Sequence, residues 1–436
     1  MKRHLFITVI ALLYAACVLL AGPALPAEAR VKGDWLLQIT VPGSPPLRAE
    51  IPIPRLAMVS VSEERYAALQ DFDAVTRAGW RKGTRLMGIE AEACTVQGAL
   101  DPASVTVRTA PGTVALRRGV DYEADLDAGT VGRLPGGAIA ATQPVFITYR
   151  YAQQRLDSIV RTAHGKIELR TGAPHTVTPA QPDLAAGETR LVNILVSARE
   201  SALREENVFP ILEPKFPEPA RADGESVAAV RLPKTLAKLK SGKPVKILAW
   251  GDSVSTYRRY QTIFVDGLRQ RFPNARIELV TEAWDGRTTA SYLKEPPGSE
   301  HNYQEKVLAQ KPDLIISEFV NDASLNEEQV EQRYSQLLAD FNGIGAEWII
   351  LSPHYVRPDW MGLARQRDID DDPRPYVKGL RRFAERHRVA LADASLRYGR
   401  LWRQGIPYLT LMENNINHPN LLGHRIFADS LLALFP

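Results

Sequence analysis

Cysteine is almost missing from this chain: its 436 residues include two, Cys17 and Cys94. Cys17 falls in an apolar N-terminal segment, so removal of that segment leaves Cys94 alone. That excludes an intramolecular disulfide and a thiolate metal cluster. Cys94, in Ala91-Glu92-Ala93-Cys94-Thr95-Val96, has no histidine near it in sequence and reads as a small buried apolar side chain. Charge of one sign is also scarce. A formal net charge of +4, without a dense Lys/Arg cluster, argues against nucleic acid as a partner. There is no Gly-rich phosphate loop, exact repeat or low-complexity tract. The acids of Asp368-Ile369-Asp370-Asp371-Asp372 read as a solvated loop rather than a calcium site, so no metal or other cofactor is expected.

What remains is the composition of a globular protein, 45% hydrophobic and 24% charged, long enough for two domains. Residues 1–29 read as a signal peptide. Met1-Lys2-Arg3-His4 is basic, Leu5 to Ala21 is apolar apart from Thr8, and Ala27-Glu28-Ala29 has the small-x-small form of a cleavage site. The implied location is exported, periplasmic or secreted, with no stable membrane insertion after cleavage. An uncleaved anchor is the rival, because the apolar run is close to the lower limit for a spanning helix.

Residues 30–204 predict a β-rich, sandwich-like domain. Its strands are expected near Trp35–Val41, Ser104–Thr109, Gly112–Leu116 and Val145–Tyr151, with Gly165–Arg170 and Arg190–Val196 belonging to it or to a second small sheet. Turn residues punctuate them at Pro111-Gly112, Asp127-Ala128-Gly129 and Pro135-Gly136-Gly137. One helix is expected near Glu63 to Ala78. Residues 205–244 carry six prolines and read as a linker with a short helix from Pro233 to Lys240. From residue 245 the period changes. Strands at Val245–Trp250, Arg276–Thr281, Asp313–Val320, Glu347–Leu351 and Val389–Ala394 alternate with helices near Tyr257–Phe272, Gln304–Gln310, Glu327–Ile344, Pro375–His387 and Asn420–Leu434. That alternation predicts an α/β domain over 245–436, a flavodoxin-like doubly wound parallel sheet.

Three short blocks sit where such a sheet places its ligands, at the C-terminal ends of strands. Gly251-Asp252-Ser253 ends the first strand, with a helix start that favours negative charge. Asn321-Asp322 follows the third strand, where a carboxamide can donate to a developing oxyanion. His418-Pro419 precedes the last helix, and the proline pushes the histidine towards an extended backbone. Taken singly, the first two blocks read as a turn or a helix cap, and His418 as a surface histidine. Together they supply a nucleophile, an oxyanion donor and a base. His424 looks helical and structural.

Gly251-Asp252-Ser253-Val254-Ser255, then Gly286, then Asn321-Asp322, then His418-Pro419, resembles the SGNH hydrolase family, also called GDSL-like hydrolases, over roughly residues 245–436. The resemblance implies a serine esterase in which Ser253 attacks an ester carbonyl and His418 takes its proton. The amides of Ser253 and Gly286 and the side chain of Asn321 would form the oxyanion hole. Two departures stand out. Phe319 replaces the usual glycine of the third block and is expected to narrow the cleft. Asn415 stands three residues before the histidine, where the family has aspartate. Asn415 is expected to orient His418 in a Ser-His dyad, with Asn414 as an alternative. The other openings are substitution by Glu413 or a lost activity.

The expected substrate is a small ester or an acylated, O-acetyl-bearing polysaccharide. Trp284 is a candidate for stacking on a sugar, against ordinary core packing. His354 is a candidate cleft residue, against a solvent-facing loop. Lipase or lysophospholipase activity, or a catalytically degenerate glycan-binding protein, are the alternatives.

Overall fold

The computed structural model describes residues 26–75, 82–218 and 224–436. Most of the expected leader therefore lies outside the described residues. The expected cut after Ala29 falls inside the first strand, Glu28–Gly33, and Ala27 just before it is buried.

The N-terminal part is β-structure, as expected, built as two units. In the first, an antiparallel sheet of Glu28–Gly33, Leu36–Val41 and Leu47–Pro52 faces a second sheet. That second sheet is ordered Ile167–Arg170, Gln154–Arg161, Thr189–Ser197, Val208–Pro210. Trp35, Leu37 and Ile39 from one sheet pack with Ile159, Val192 and Ile194 from the other, as the period-2 alternation of strands requires.

Between Pro52 and Gln154 the chain builds an inserted unit of two small sheets. One runs Val59–Tyr66, Val145–Tyr151, Thr106–Arg108; the other runs Thr84–Arg85, Thr130–Arg133, Tyr122–Asp125. They share a separate core that includes Leu86, Ile89, Val131, Ile147 and Tyr149.

Two expectations fail here. The residues expected to start a helix at Glu63 belong instead to the strand Val59–Tyr66, which pairs with Val145–Tyr151 across a bulge between Val61 and Glu64. Residues 76–78 of that expected helix lie outside the described residues. Ladder pairing outweighs the helical propensity of Glu-Glu-Arg. Gly112–Leu116 is a loop, and Val114 is 89% exposed.

The proline-rich stretch is more than a tether. Val208–Pro210 adds an edge strand to the four-stranded sheet, a position where proline is tolerated. The helices Val227–Arg231 and Pro233–Ser241 then lead into the α/β domain.

That domain is a five-stranded parallel sheet of Pro244–Gly251, Arg276–Ala283, Leu314–Glu318, Glu347–Leu351 and Ala390–Ala392. In chain order the strands sit 2-1-3-4-5. This is the flavodoxin-like doubly wound arrangement. The central strands Pro244–Gly251 and Leu314–Glu318 are almost wholly buried, as expected of a parallel sheet covered by helices on both faces. The first and third strands are direct neighbours, with Gly251 opposite Glu318. Their C-terminal ends therefore bring Gly251-Asp252-Ser253 and Asn321-Asp322 side by side.

Phe319 does not narrow a cleft. It is buried, with its ring 4.7 Å from Trp250 in an edge-on contact and 5.9 Å from Tyr292. Each such pair contributes about 0.5–1.5 kcal/mol beyond area burial. The large residue therefore fills the core beneath the strand end.

The two halves of the chain are fastened to each other. Asn193 Nδ2 donates to the Gly405 carbonyl at 2.6 Å, Leu212 N donates to the Arg403 carbonyl at 2.7 Å, and Arg400 pairs with Glu213. A second contact, from the inserted unit, reaches the sheet edge.

Candidate active site

Ser253 opens a one-turn helix, Ser253–Thr256, immediately after the first parallel strand. Asp252 caps that helix by accepting from Val254 N at 3.2 Å. The cap thus falls to Asp252, and Ser253 stands at the helix start beside it. Gly251 has no room for a side chain, since a Cβ there would lie 2.3 Å from Ser255 Oγ and 2.7 Å from the Glu318 carbonyl oxygen. This close approach sets the sharp turn that presents Ser253.

The aspartates of the blocks act as ties. Buried Asp252 accepts from the backbone N–H of Asn321 at 3.0 Å and from its side-chain Nδ2 at 2.9 Å. Burial pushes the Asp252 carboxyl up to about 7. Asp322 in turn accepts from Thr289 N at 3.1 Å and Thr289 Oγ1 at 2.7 Å. Thr256 Oγ1 donates to Asp285 at 2.5 Å. Gly251-Asp252-Ser253 is thereby bound to Asn321 and its helix to the loop before Gly286, and Asn321-Asp322 is bound to the helix that follows Gly286. Asn321 spends one side-chain N–H on Asp252 and keeps a second, because a carboxamide carries two. Gly286 adopts φ +68°, in open space.

His418 sits on a loop shaped by Asn414, whose Oδ1 accepts from the backbone N–H groups of Ile416, Asn417 and His418 at 2.8–2.9 Å. The imidazole Nε2 lies 3.0 Å from Ser253 Oγ. Its Nδ1 lies 2.6 Å from Glu92 Oε2, a residue of the inserted β-unit. This hydrogen bond, outweighing partial burial, draws the Glu92 carboxyl below its ordinary range.

Asn415 therefore does not occupy the acid's place. It stands in a left-handed turn at φ +56°, its N–H bonded to the Met412 carbonyl. The left-handed turn at Asn415 and the Asn414 side chain set the loop's backbone, while the imidazole faces elsewhere. Glu413 is not the substitute either, since its carboxylate pairs with Arg259 at 2.7 Å.

Two other expected site residues are placed differently. His354 is buried, and burial holds it well below the usual histidine range. Its Nε2 lies 2.6 Å from the Asn417 carbonyl. It supports the loop that carries His418 from behind and lines no cleft. Trp284 stacks on His301 with ring centres 4.5 Å apart and carries the Arg287 guanidinium 4.8 Å over its ring. The ring expected to meet a sugar is thus engaged within the protein. His424 is buried against Tyr260, and burial lowers it to about 3, in keeping with a structural role. The acidic run is no solvated loop throughout: Asp372 is buried on Arg374, and Asp370 and Asp371 pair with Arg403 and Arg381.

Glu92 is the residue that reading the sequence missed. Its tetrapeptide, Ala91-Glu92-Ala93-Cys94, carries no motif, and 326 residues separate it from His418.

A family model described as GDSL-like Lipase/Acylhydrolase matches residues 247–426. No curated protein matches the chain. Among solved structures, LAE5, an alpha/beta hydrolase enzyme from the metagenome of Lake Arreo, Spain, is similar at 23% identity and a TM-score of 0.36, over 44% of this chain and 94% of that one. A mutant of Axe2, an acetyl-xylooligosaccharide esterase from Geobacillus, is similar at 18% identity and a TM-score of 0.36, over 44% and 93%. A two-domain esterase active on acetylated mannans is similar at 19% identity and a TM-score of 0.36, over 46% of this chain and 52% of that one.

Proposed function

Since residues 247–426 belong to the GDSL-like lipase/acylhydrolase family, we propose that this carboxylic ester hydrolase works through Ser253 as nucleophile and His418 as base. The observation that carries this reading is the 3.0 Å approach of His418 Nε2 to Ser253 Oγ at the edge of the sheet. His418 takes the hydroxyl proton as Ser253 Oγ bonds to the acyl carbon. The carbonyl oxygen becomes an oxyanion, met by the amides of Ser253 and Gly286 and the free N–H of Asn321. His418 then gives its proton to the departing alcohol oxygen as the C–O bond breaks. Water attacks the acyl-enzyme, again losing a proton to His418, and the acid leaves as Ser253 recovers its hydrogen.

The substrate proposed is a short O-acyl ester, O-acetyl on a glycan being the favoured case. The groups around the nucleophile support it. They are Glu92, Arg259, Glu413, Asp285 and half-exposed Tyr257, whose hydroxyl donates to Glu92 Oε1 at 2.9 Å. A rim of charges suits a hydroxyl-rich substrate better than an acyl chain, whose burial needs apolar surface. Export, supported by the basic and apolar start of the chain, would bring the enzyme to such polymers. Among the described residues no helix is long and apolar enough to cross a membrane.

The test compares p-nitrophenyl acetate, p-nitrophenyl octanoate and acetylated xylan, for wild type and Ser253→Ala. Turnover of the acetate and the polymer that vanishes in the variant is expected. A preference for octanoate would overturn the substrate reading, and turnover unaffected by Ser253→Ala would overturn the mechanism.

A further inference from the structure

We propose that Glu92 is the positioning acid of the Ser253–His418 pair, so that the active site is completed by the inserted β-unit rather than by the α/β domain alone. This rests on the serine-esterase reading and extends it.

The geometry runs in one line. Glu92 Oε2 lies 2.6 Å from His418 Nδ1, and His418 Nε2 lies 3.0 Å from Ser253 Oγ. A carboxylate at Nδ1 holds the proton on that nitrogen and leaves the Nε2 lone pair facing the serine. It then offsets the imidazolium charge that forms when the serine proton arrives. The second Glu92 oxygen is also held, by the Tyr257 hydroxyl at 2.9 Å. Tyr257 directly follows the nucleophile's helix, so the acid is fixed from both the base side and the nucleophile side.

The turn that carries Glu92 is built to stay in place. The preceding turn, Met87–Ile89, is pinned by hydroxyls: Tyr66 accepts from Met87 N at 2.9 Å and Tyr149 from Gly88 N at 2.8 Å. Both tyrosine hydroxyls bond in turn to Glu64. A bridge between Glu90 and Thr95 closes the turn. Across the domain boundary, Glu92 N donates to the Glu413 carbonyl at 3.2 Å and buried Cys94 Sγ to the Asn414 carbonyl at 3.1 Å. Further along, Gln97 bonds Arg357, whose backbone N–H donates to the Ile416 carbonyl. The loop bearing the base and the turn bearing the acid are thus stitched together at Glu413 and Asn414, and through Arg357 at Ile416. The aspartate absent at position 415 is replaced in space rather than lost.

The test uses the full chain and a fluorophosphonate, which labels an activated serine whatever the natural ester. Wild type should label at Ser253 and Ser253→Ala should not. Glu92→Gln should label at least about 10²-fold more slowly, and up to about 10⁴-fold by analogy with the acid-to-amide change in a serine protease. On p-nitrophenyl acetate its kcat should fall likewise, with KM within about threefold. Formate should restore at least tenfold of the rate lost in Glu92→Ala, while chloride at equal ionic strength should not; a merely structural glutamate would give no such rescue. Asn415→Gly, which suits the positive φ, should label within twofold of wild type. Labelling of Glu92→Gln at the wild-type rate, or a loss in Glu92→Ala that formate leaves untouched, would overturn the inference. Absence of labelling in wild type would instead overturn the esterase reading, and this inference with it.

Discussion

Gly251→Ala tests whether the nucleophile turn depends on close backbone approach. The new Cβ would lie 2.3 Å from Ser255 Oγ, 2.7 Å from the Glu318 carbonyl oxygen and 3.0 Å from Ser255 Cβ. None of these neighbours yields freely. Ser255 Oγ is bonded to buried Tyr260 at 2.9 Å, and Glu318 lies in the ladder directly opposite Gly251. Gly251 itself receives hydrogen bonds at its carbonyl from Trp284 N and the Tyr292 hydroxyl, each at 3.2 Å. Restoring normal contact needs a shift of about 0.7–1 Å, and a misplacement of that size costs about 10²-fold in rate. Overpacking adds a stability cost of about 1–3 kcal/mol, or about 2–12 °C in Tm for a domain of this size. The assay is kcat and KM on p-nitrophenyl acetate beside a thermal melt. We expect kcat to fall about 10²-fold with KM little changed, and Tm to drop. A variant with wild-type kcat and a Tm within 1 °C would refute the claim that this glycine sets the serine's position.

Asn321→Ala removes an oxyanion donor and should lower kcat about 10²–10³-fold with little change in KM; a change confined to KM would count against that role. Glu318 is buried, and burial raises its carboxyl well above 4.5. The folded protein therefore keeps a proton that the unfolded chain releases, so stability is lost as pH rises from about 4.5 towards the folded value. Glu318→Gln never ionises, and its Tm relative to wild type should improve steadily between pH 5 and pH 8; parallel curves would reject this. Burial also pushes the Cys94 thiol up to about 11. Iodoacetamide should therefore modify Cys94 far more slowly in the native protein at pH 8 than in urea, and equal rates would contradict its burial.

The sheet and the three blocks were legible because each depends on local pattern. Apolar strand runs at 245, 313 and 347 alternate with amphipathic helices, and the turn chemistry of Gly251-Asp252-Ser253 is written in consecutive residues. Asn415 was misleading because the family resemblance puts an acid three residues before the histidine, whereas here a left-handed backbone at φ +56° belongs to a turn. Glu92 was illegible because its partner is distant along the chain and its own surroundings are plain. Glu63 looked helical by composition until strand pairing with residues 145–151 decided otherwise. Trp284 and His354 were candidates by residue type, yet stacking and burial occupy them.

The separation of 326 positions between Glu92 and His418 also orders events in time. During synthesis the acid emerges well before the base, so a chain not yet grown past residue 418 cannot hold both. Loop closure over such a span carries an entropic cost that later contacts must offset. The relay can close only where the β-unit meets the sheet. A shortened chain that folds its parallel sheet perfectly well would still be a hydrolase in outline with its relay unfinished.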